Sequence, residues 1–277
     1  MNNIILDLSE HNGNINFSKV KGAGITGVIL RVGWIGNKQN HTIDKKFEEY
    51  YRLAKENNFN IGFYVYSYCL SENAINEGII WTYNHIKNKS FNLPLFLDLE
   101  DNAISNLSKE NLTKQAILFC NYFKNKGYNS GVYASKHWFL NKLDINKLLD
   151  FKIWLAEWNG KNNHTLGYKV DLWQYTSKGI VNGILTNVDM NKCLCECVEN
   201  NVDNFGGFEM KTYQNGSTKE KVFEDINCTK LIGWLNEYEK CECYGIKDNK
   251  AIVVYNIDGS KTNNKKVGFV KWLGGVK

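Results

Sequence analysis

Proline is almost missing from this chain of 277 residues: Pro94 is the single example, and arginine occurs only as Arg31 and Arg52. Lysine carries nearly all of the positive charge, and asparagine and isoleucine are abundant, which is the usage of an AT-rich coding genome. No apolar run is long enough to cross a bilayer as a helix. The start, Met1-Asn2-Asn3-Ile4-Ile5-Leu6-Asp7, lacks the charged region, apolar core and cleavage site of a secretory leader, so no export signal is expected. No Gly-x-Ser-x-Gly elbow occurs, and His11, His41, His85, His137 and His164 form no His-Glu-x-x-His or other metal-spaced group. Those absences argue against serine-hydrolase and zinc-protease chemistry and leave neither a metal nor a cofactor expected.

What is present describes a folded protein. Hydrophobic residues make up 43% and charged ones 23%, ordinary for a globular chain, and the length allows one large domain plus a small one. Residues 211–277 hold 12 Lys and 8 acids, a balance of +4 out of a total of +5. A basic module suits an anionic polymer, but no nucleic-acid motif accompanies it, so no nucleic-acid partner is expected. Among the 8 cysteines, Cys193, Cys195 and Cys197 alternate, as do Cys241 and Cys243. On a strand that spacing gives same-face neighbours rather than a zinc knuckle. Cys69 and Cys120 sit in apolar runs and read as small core residues.

The most informative segment is Leu93-Pro94-Leu95-Phe96-Leu97-Asp98-Leu99-Glu100-Asp101, an apolar strand ending in two carboxylates two residues apart, on one face. Asp7 ends a similar segment, Ile4-Ile5-Leu6-Asp7. A strand end dipping into solvent is the plain reading; carboxylates whose environments split their pKa values, the means by which glycosidic bonds are cut, is the functional one. Further strands are expected at Gly27 to Val32, Ile61 to Tyr66 and Gly131 to Ala134. Between them, Asp44 to Glu56, Glu72 to Ile86 and Ser108 to Lys126 show helical spacing, with Ser108 as N-cap and Gly127 as stop. After residue 150, Lys152 to Ala156, Val170 to Tyr175 and Val188 to Asn191 follow with connections too short for crossover helices. Repeated βα units closed by bare strands predict an α/β barrel of TIM type.

Chemistry in such barrels gathers at the strand ends, which here carry Asp7, Arg31, Tyr64, Tyr66, Asp98, Glu100, Tyr133, Trp154, Glu157, Trp173, Gln174 and Asp189. Aromatic faces suit sugar C–H groups, while acids and amides suit hydroxyls. Core packing is the alternative for each aromatic taken alone.

These residues also match a known pattern. Asp7-Leu8-Ser9-Glu10-His11-Asn12-Gly13 with Phe17, Phe63-Tyr64-Val65-Tyr66, Phe96-Leu97-Asp98-Leu99-Glu100, Gly131-Val132-Tyr133, Trp154-Leu155-Ala156 and Trp173-Gln174-Tyr175 resemble the family 25 glycoside hydrolases. These are Chalaropsis-type lysozymes, many of them bacteriophage endolysins. The resemblance, covering residues 1 to roughly 195, implies a flattened barrel of five βα units and three further strands. It implies cleavage of the β-1,4 bond between N-acetylmuramic acid and N-acetylglucosamine, with a peptidoglycan glycan strand as partner. It assigns Glu100 as general acid, Asp98 as an ionised partner that orients the substrate's N-acetyl group, and Asp7 and Asp189 as further acids of the site. Arg31 stands as either an ion-pair partner or a substrate contact, and His11 as a loop or sugar contact.

Around Asn200 a polar, glycine-containing stretch separates an expected catalytic domain, 1–198, from a linker, 199–210, and a small all-β domain, 211–277. In the last, Lys221 to Glu224, Lys230 to Leu235, Glu239 to Ile246, Ala251 to Ile257 and Lys266 to Trp272 read as short strands. Val222-Phe223, Ile232-Gly233-Trp234-Leu235 and Val267-Gly268-Phe269-Val270-Lys271-Trp272 resemble the bacterial SH3-like domains of clostridial phage lysins, implying attachment to a cell-wall polymer. Tyr213, Tyr255 and Trp272, with Tyr238 and Tyr244, are candidates for the wall-binding face, core packing being the other reading. Gly206-Gly207-Phe208-Glu209-Met210 is compatible with a ribosome-binding site before an internal start, giving a Met210-initiated fragment able to pair with the full chain. The expected location is the host cytoplasm until a holin opens the membrane, then the wall. The competing reading is a wall protein whose barrel holds glycan without cutting it.

Overall fold

The computed structural model describes residues 3–36, 41–194, 211–224, 228–247, 250–256 and 265–271. The chain separates into two compact units, Met1–Val202 and Asp203–Lys277. No helix among the described residues is long and apolar enough to cross a membrane.

Among the described residues, nine strands make the sheet of the first unit: β1 (Ile4–Leu8), β2 (Gly27–Ile35), β3 (Thr42–Ile43), β4 (Asn60–Ser67), β5 (Leu95–Asp98), β6 (Ser130–Ser135), β7 (Lys152–Ala156), β8 (Leu172–Gly179) and β9 (Val188–Cys193). Helices α1 (Phe17–Gly22), α2 (Phe47–Glu56), α3 (Glu72–Ile86), α4 (Lys109–Asn125) and α5 (Lys136–Asn141) follow β1, β3, β4, β5 and β6. From β1 through β2, β4, β5, β6 and β7 to β8, neighbours run parallel. β9 then joins antiparallel to both β8 and β1. Those eight strands close a ring, while β3 pairs with β2 outside it.

Strand alternation sorts the side chains. Leu6, Val28, Phe63, Leu97, Val132 and Leu155 point outward into the core shared with the helices. Ile5, Ile29, Phe96, Trp154 and Leu172 point inward and fill the barrel. The same inward rows continue toward the strand ends into Asp7, Arg31 and Asp98, so one end of the interior is apolar and the other charged.

Ser71, Ser108 and Ser135 accept hydrogen bonds from the backbone N–H groups of Ala74, Asn111 and Trp138 and so cap α3, α4 and α5. Gly127, at φ 84°, takes the left-handed turn just past α4. Helix α2 begins at Phe47 rather than Asp44. The Asp44 carboxylate instead accepts from the Arg31 Nε and from the backbone of Glu10 and Lys46. Helices α1 and α5 have six residues each, too few for a 3.6-residue period to show in the sequence.

Among the described residues of the second unit the strands pair antiparallel: β10 (Lys211–Gln214), β11 (Glu220–Phe223), β12 (Leu231–Leu235), β13 (Lys240–Lys247), β14 (Lys250–Asn256) and β15 (Lys265–Lys271), in the order β10-β13-β14-β15-β11-β12. Strand β10 adds to the five expected. Two candidate wall-facing residues are corrected here: Tyr213 and Tyr255 are 2% and 3% exposed and pack with Val222, Cys243 and Val253 in the core. Their strand parity, shared with the apolar rows, turns them inward. Tyr238 and Trp234 are the exposed aromatics of this unit among the described residues. Trp272, Met210, Cys195 and Cys197 lie outside the described residues.

Candidate active site

The inward rows converge on a cleft of about 260 Å3 at the C-terminal ends of the parallel strands. Its acids are Asp7, Asp98, Glu100 and Asp189, flanked by Arg31, Tyr64, Tyr66 and Tyr133. Because β9 runs antiparallel, Asp189 reaches this end from the beginning of its strand, directly opposite Asp7 in the ladder. Asp98 sits in register between Tyr66 of β4 and Tyr133 of β6. Glu100, beyond the end of β5, stands at the exposed rim.

A larger hollow of about 420 Å3 lies at the N-terminal end of β6 and β7, around Tyr128, Phe151 and Lys152. Its buried acid, Asp171, is already held by Lys152 at 3.0 Å and by the Ile153 N–H at 3.0 Å. The convergence of unspent acids is at the other end.

Crowding four carboxylates raises their affinity for protons. Asp7 is pushed well above the usual carboxylate range by burial and then by the charge of Asp189, with Tyr64 opposing as a donor. Burial lifts Asp189 to about 6. Glu100 is raised first by desolvation and then by Asp189, while the Tyr133 hydroxyl pulls it back down. Asp98, 3% exposed, is raised well above its ordinary value by burial and by the charges of Glu100 and Asp7, with Arg31 opposing. Burial and the neighbouring charges thus work against the ionised form that the family resemblance assigns to Asp98, and Arg31 works for it. Its Oδ1 is buried without a hydrogen-bond partner, an arrangement that favours a donor arriving from outside.

Arg31 is an ion-pair residue and also borders the cleft: its Nε lies 2.8 Å from Asp44 Oδ2 and its terminal nitrogen 3.5 Å from Glu10 Oε1. Tyr64 and Tyr133 are buried but line the site, and the Tyr66 hydroxyl donates to Asp101 at 3.0 Å. Three expected substrate contacts fall elsewhere. Trp154 is 1% exposed; it fills the barrel below the acids and donates to Asn191 Oδ1 at 2.7 Å. Trp173 faces outward into the helix-side core and donates to the Glu157 carbonyl. Gln174 is fully buried behind the cleft, where Nε2 donates to Asp7 Oδ2 at 3.4 Å and Oε1 accepts from Tyr133 at 3.2 Å. Adjacent strand residues cannot share a face, so Trp173 and Gln174 were separable by parity alone.

Ser9 and Asn12, which stood only within the family motif, and Asn187, which was not named, also line the cleft, and His11 lies beside them in the short turn Glu10–Asn12. They sit in connections that carry no periodic signal. Asp44, which anchors Arg31 from 13 positions away in sequence, had no local signature either.

A closed βα barrel with clustered acids at its C-terminal mouth is an architecture able to carry glycoside hydrolysis. The model of glycosyl hydrolases family 25 matches residues 6–184, and the chain belongs to that family, which makes it a glycoside hydrolase. Comparison with the curated proteins finds no match. Among solved structures, the modular autolysin LytC from Streptococcus pneumoniae, in complex with a synthetic peptidoglycan ligand, is 25% identical with a TM-score of 0.61. The match covers 69% of this chain and 46% of LytC, so the chain spans less than half the length of that autolysin. A bacterial lysozyme from Streptomyces coelicolor is 21% identical, TM-score 0.60, covering 70% of this chain and 93% of that one. The spore cortex lytic enzyme SleM from Clostridium perfringens is 16% identical, TM-score 0.64, with 98% of both chains covered.

Proposed function

We propose that this chain hydrolyses the β-1,4 bond between N-acetylmuramic acid and N-acetylglucosamine in Gram-positive peptidoglycan. The observation that carries the reading is the cluster of Asp7, Asp98, Glu100 and Asp189 around one cleft, with Asp98 Oδ1 buried and unpartnered. Glu100, raised above its ordinary pKa and standing at the rim, is the proton donor to the bridging oxygen. Asp98 accepts a hydrogen bond from the N–H of the substrate's N-acetyl group. That bond favours the anion that the protein alone disfavours. The acetamido oxygen then attacks the anomeric carbon as the glycosidic C–O bond breaks, the proton of Glu100 going to the leaving hydroxyl. Water, deprotonated by Glu100, opens the resulting ring. Asp7 and Asp189 hold sugar hydroxyls and tune the charge beside the developing cation.

The second unit is proposed to hold a cell-wall polymer as an SH3-like module; its basic balance, +4 over residues 211–277, supports an anionic one. As a phage lysin the protein would wait in the host cytoplasm until a holin opens the membrane. A Met210-initiated fragment would be a second product paired with it, detectable by mass spectrometry of the purified protein.

The test is mass analysis of digested, purified walls. A new reducing N-acetylmuramic acid end is expected; reducing N-acetylglucosamine, free peptides or no cleavage at all contradicts the reading. Wall binding without cleavage by the parent chain identifies a non-catalytic glycan-holding barrel instead.

A further inference from the structure

Trp158, two residues beyond β7, is 59% exposed, although its position is held tightly. Its indole Nε1 donates to Gln174 Oε1 at 3.1 Å. Gln174 in turn accepts from Tyr133 and donates to Asp7, both in the wall of the acidic cleft. The neighbouring Glu157 is clamped by Lys136 Nζ at 2.9 Å and by the backbone N–H of Thr165 at 2.6 Å. Its own carbonyl accepts from Trp173 Nε1 at 3.0 Å. Past the ring, Asn159 Nδ2 donates to the Asn163 carbonyl at 3.1 Å, so the segment is held on both sides of Trp158, at the same end of the barrel as the acids.

An exposed indole ordinarily turns freely in solvent or sinks its apolar area into a core. Here the N–H edge is spent on a buried amide and the ring is left out, so its orientation is set before any ligand arrives. Pre-orientation lowers the ordering cost of binding, and a flat apolar face beside hydroxyl-binding acids fits the C–H face of a pyranose. Gln174 joins the ring to Asp7 and Tyr133 without an intervening water, which places that face next to the reacting site rather than on a remote surface.

We propose that Trp158 is the stacking platform of a further glycan subsite, taking an N-acetylhexosamine of the same strand beyond the two sugars that flank the scissile bond. Gln174 is the positioning residue that orients it. The inference rests on the proposed action on glycan, and it concerns binding length rather than the chemical step.

The test uses the full chain carrying Glu100→Gln, so that binding is read without cleavage, with peptide-free peptidoglycan strands of eight and of two sugars as probes. Adding Trp158→Ala should weaken calorimetric binding of the octasaccharide about tenfold while leaving the disaccharide unchanged. Trp158→Phe, which keeps a ring, should restore most of the loss. In the active background, Trp158→Ala should raise KM on long strands with kcat nearly intact. Equal octasaccharide affinity with and without the indole overturns the inference, as does an equal loss for both probes. Should the alanine variant fold poorly, Trp158→Phe decides through indole emission: the inference requires an octasaccharide-induced change in the parent that this variant lacks. Absence of hydrolysis by the parent, with length-dependent binding intact, defeats the hydrolytic reading and still supports the platform.

Discussion

Asp7 and Asp189 face each other directly across the antiparallel ladder of β1 and β9. Like charges in that position are destabilising in an ordinary sheet. The pair is kept where the interior rows of the barrel open into the cleft, and it raises the proton affinity of its neighbours.

The first consequence is a pH-dependent stability. Burial lifts Asp189 to about 6, and Asp7 is raised as well, so the folded chain holds protons that the unfolded chain releases above about pH 4. Stability contributed by these groups is full below the unfolded pKa and is lost as pH rises through the folded one. Asp189→Asn should therefore raise Tm near about pH 7 by a few degrees, with the gain vanishing near about pH 4. Calorimetric scans across that range check it; a gain that grows on acidification contradicts it.

Glu100→Gln should lower wall clearing about 100- to 10,000-fold while leaving Tm equal or higher, because a proton donor is removed and a crowded charge with it. Turbidity decay and thermal melts separate this outcome from unfolding. Because the Glu100 pKa is raised, activity of the parent should fall on the alkaline side at a higher pH than an ordinary glutamate would allow.

Arg31→Met leaves Asp44, 2% exposed, with two backbone donors and no cation. Removing one partner of a buried pair costs about 3 kcal/mol. Urea unfolding at neutral pH should show that loss, and a change under about 1 kcal/mol would mean the pair is effectively solvated.

Gly131 lies where β6 meets β7, and a Cβ there would come 2.1 Å from the Lys152 carbonyl oxygen. Gly131→Ala should displace the strand that carries Tyr133 and cost about 1–3 kcal/mol. Denaturant melts give the stability, and hydrolysis should drop with it.

Residues 1–198 alone should still cut soluble glycan but sediment poorly with intact walls. Retained sedimentation would remove the wall-binding role from the second unit.

Much of the barrel was legible before any coordinates. Helix α3 begins and ends where its spacing predicts, Ser108 caps α4, and β7 is reproduced to the residue. Those features follow from local chemistry: side-chain period, capping oxygen, stop glycine. Asp7 and Asp98 were legible at the ends of apolar strands, which in a βα barrel converge on one mouth, whereas the full set with Glu100 and Asp189 came from the family resemblance. Trp154 was not legible, because an inward aromatic at a strand end reads alike whether it lines a cleft or fills the interior below it. Tyr213 and Tyr255 failed in the same way in the smaller unit.

The sequence by itself determined the elements, their order and the residues able to carry proton chemistry, all of which depend on neighbours a few positions apart. Only the tertiary structure decided that Asp189 meets Asp7, that Asp44 holds Arg31, that Asp98 is buried with an unspent oxygen, and that Gln174 stands behind the site with Trp158 fixed to it. Each of those relations joins strands or loops distant along the chain, and their energies come from desolvation and charge in a shared space that no local pattern encodes.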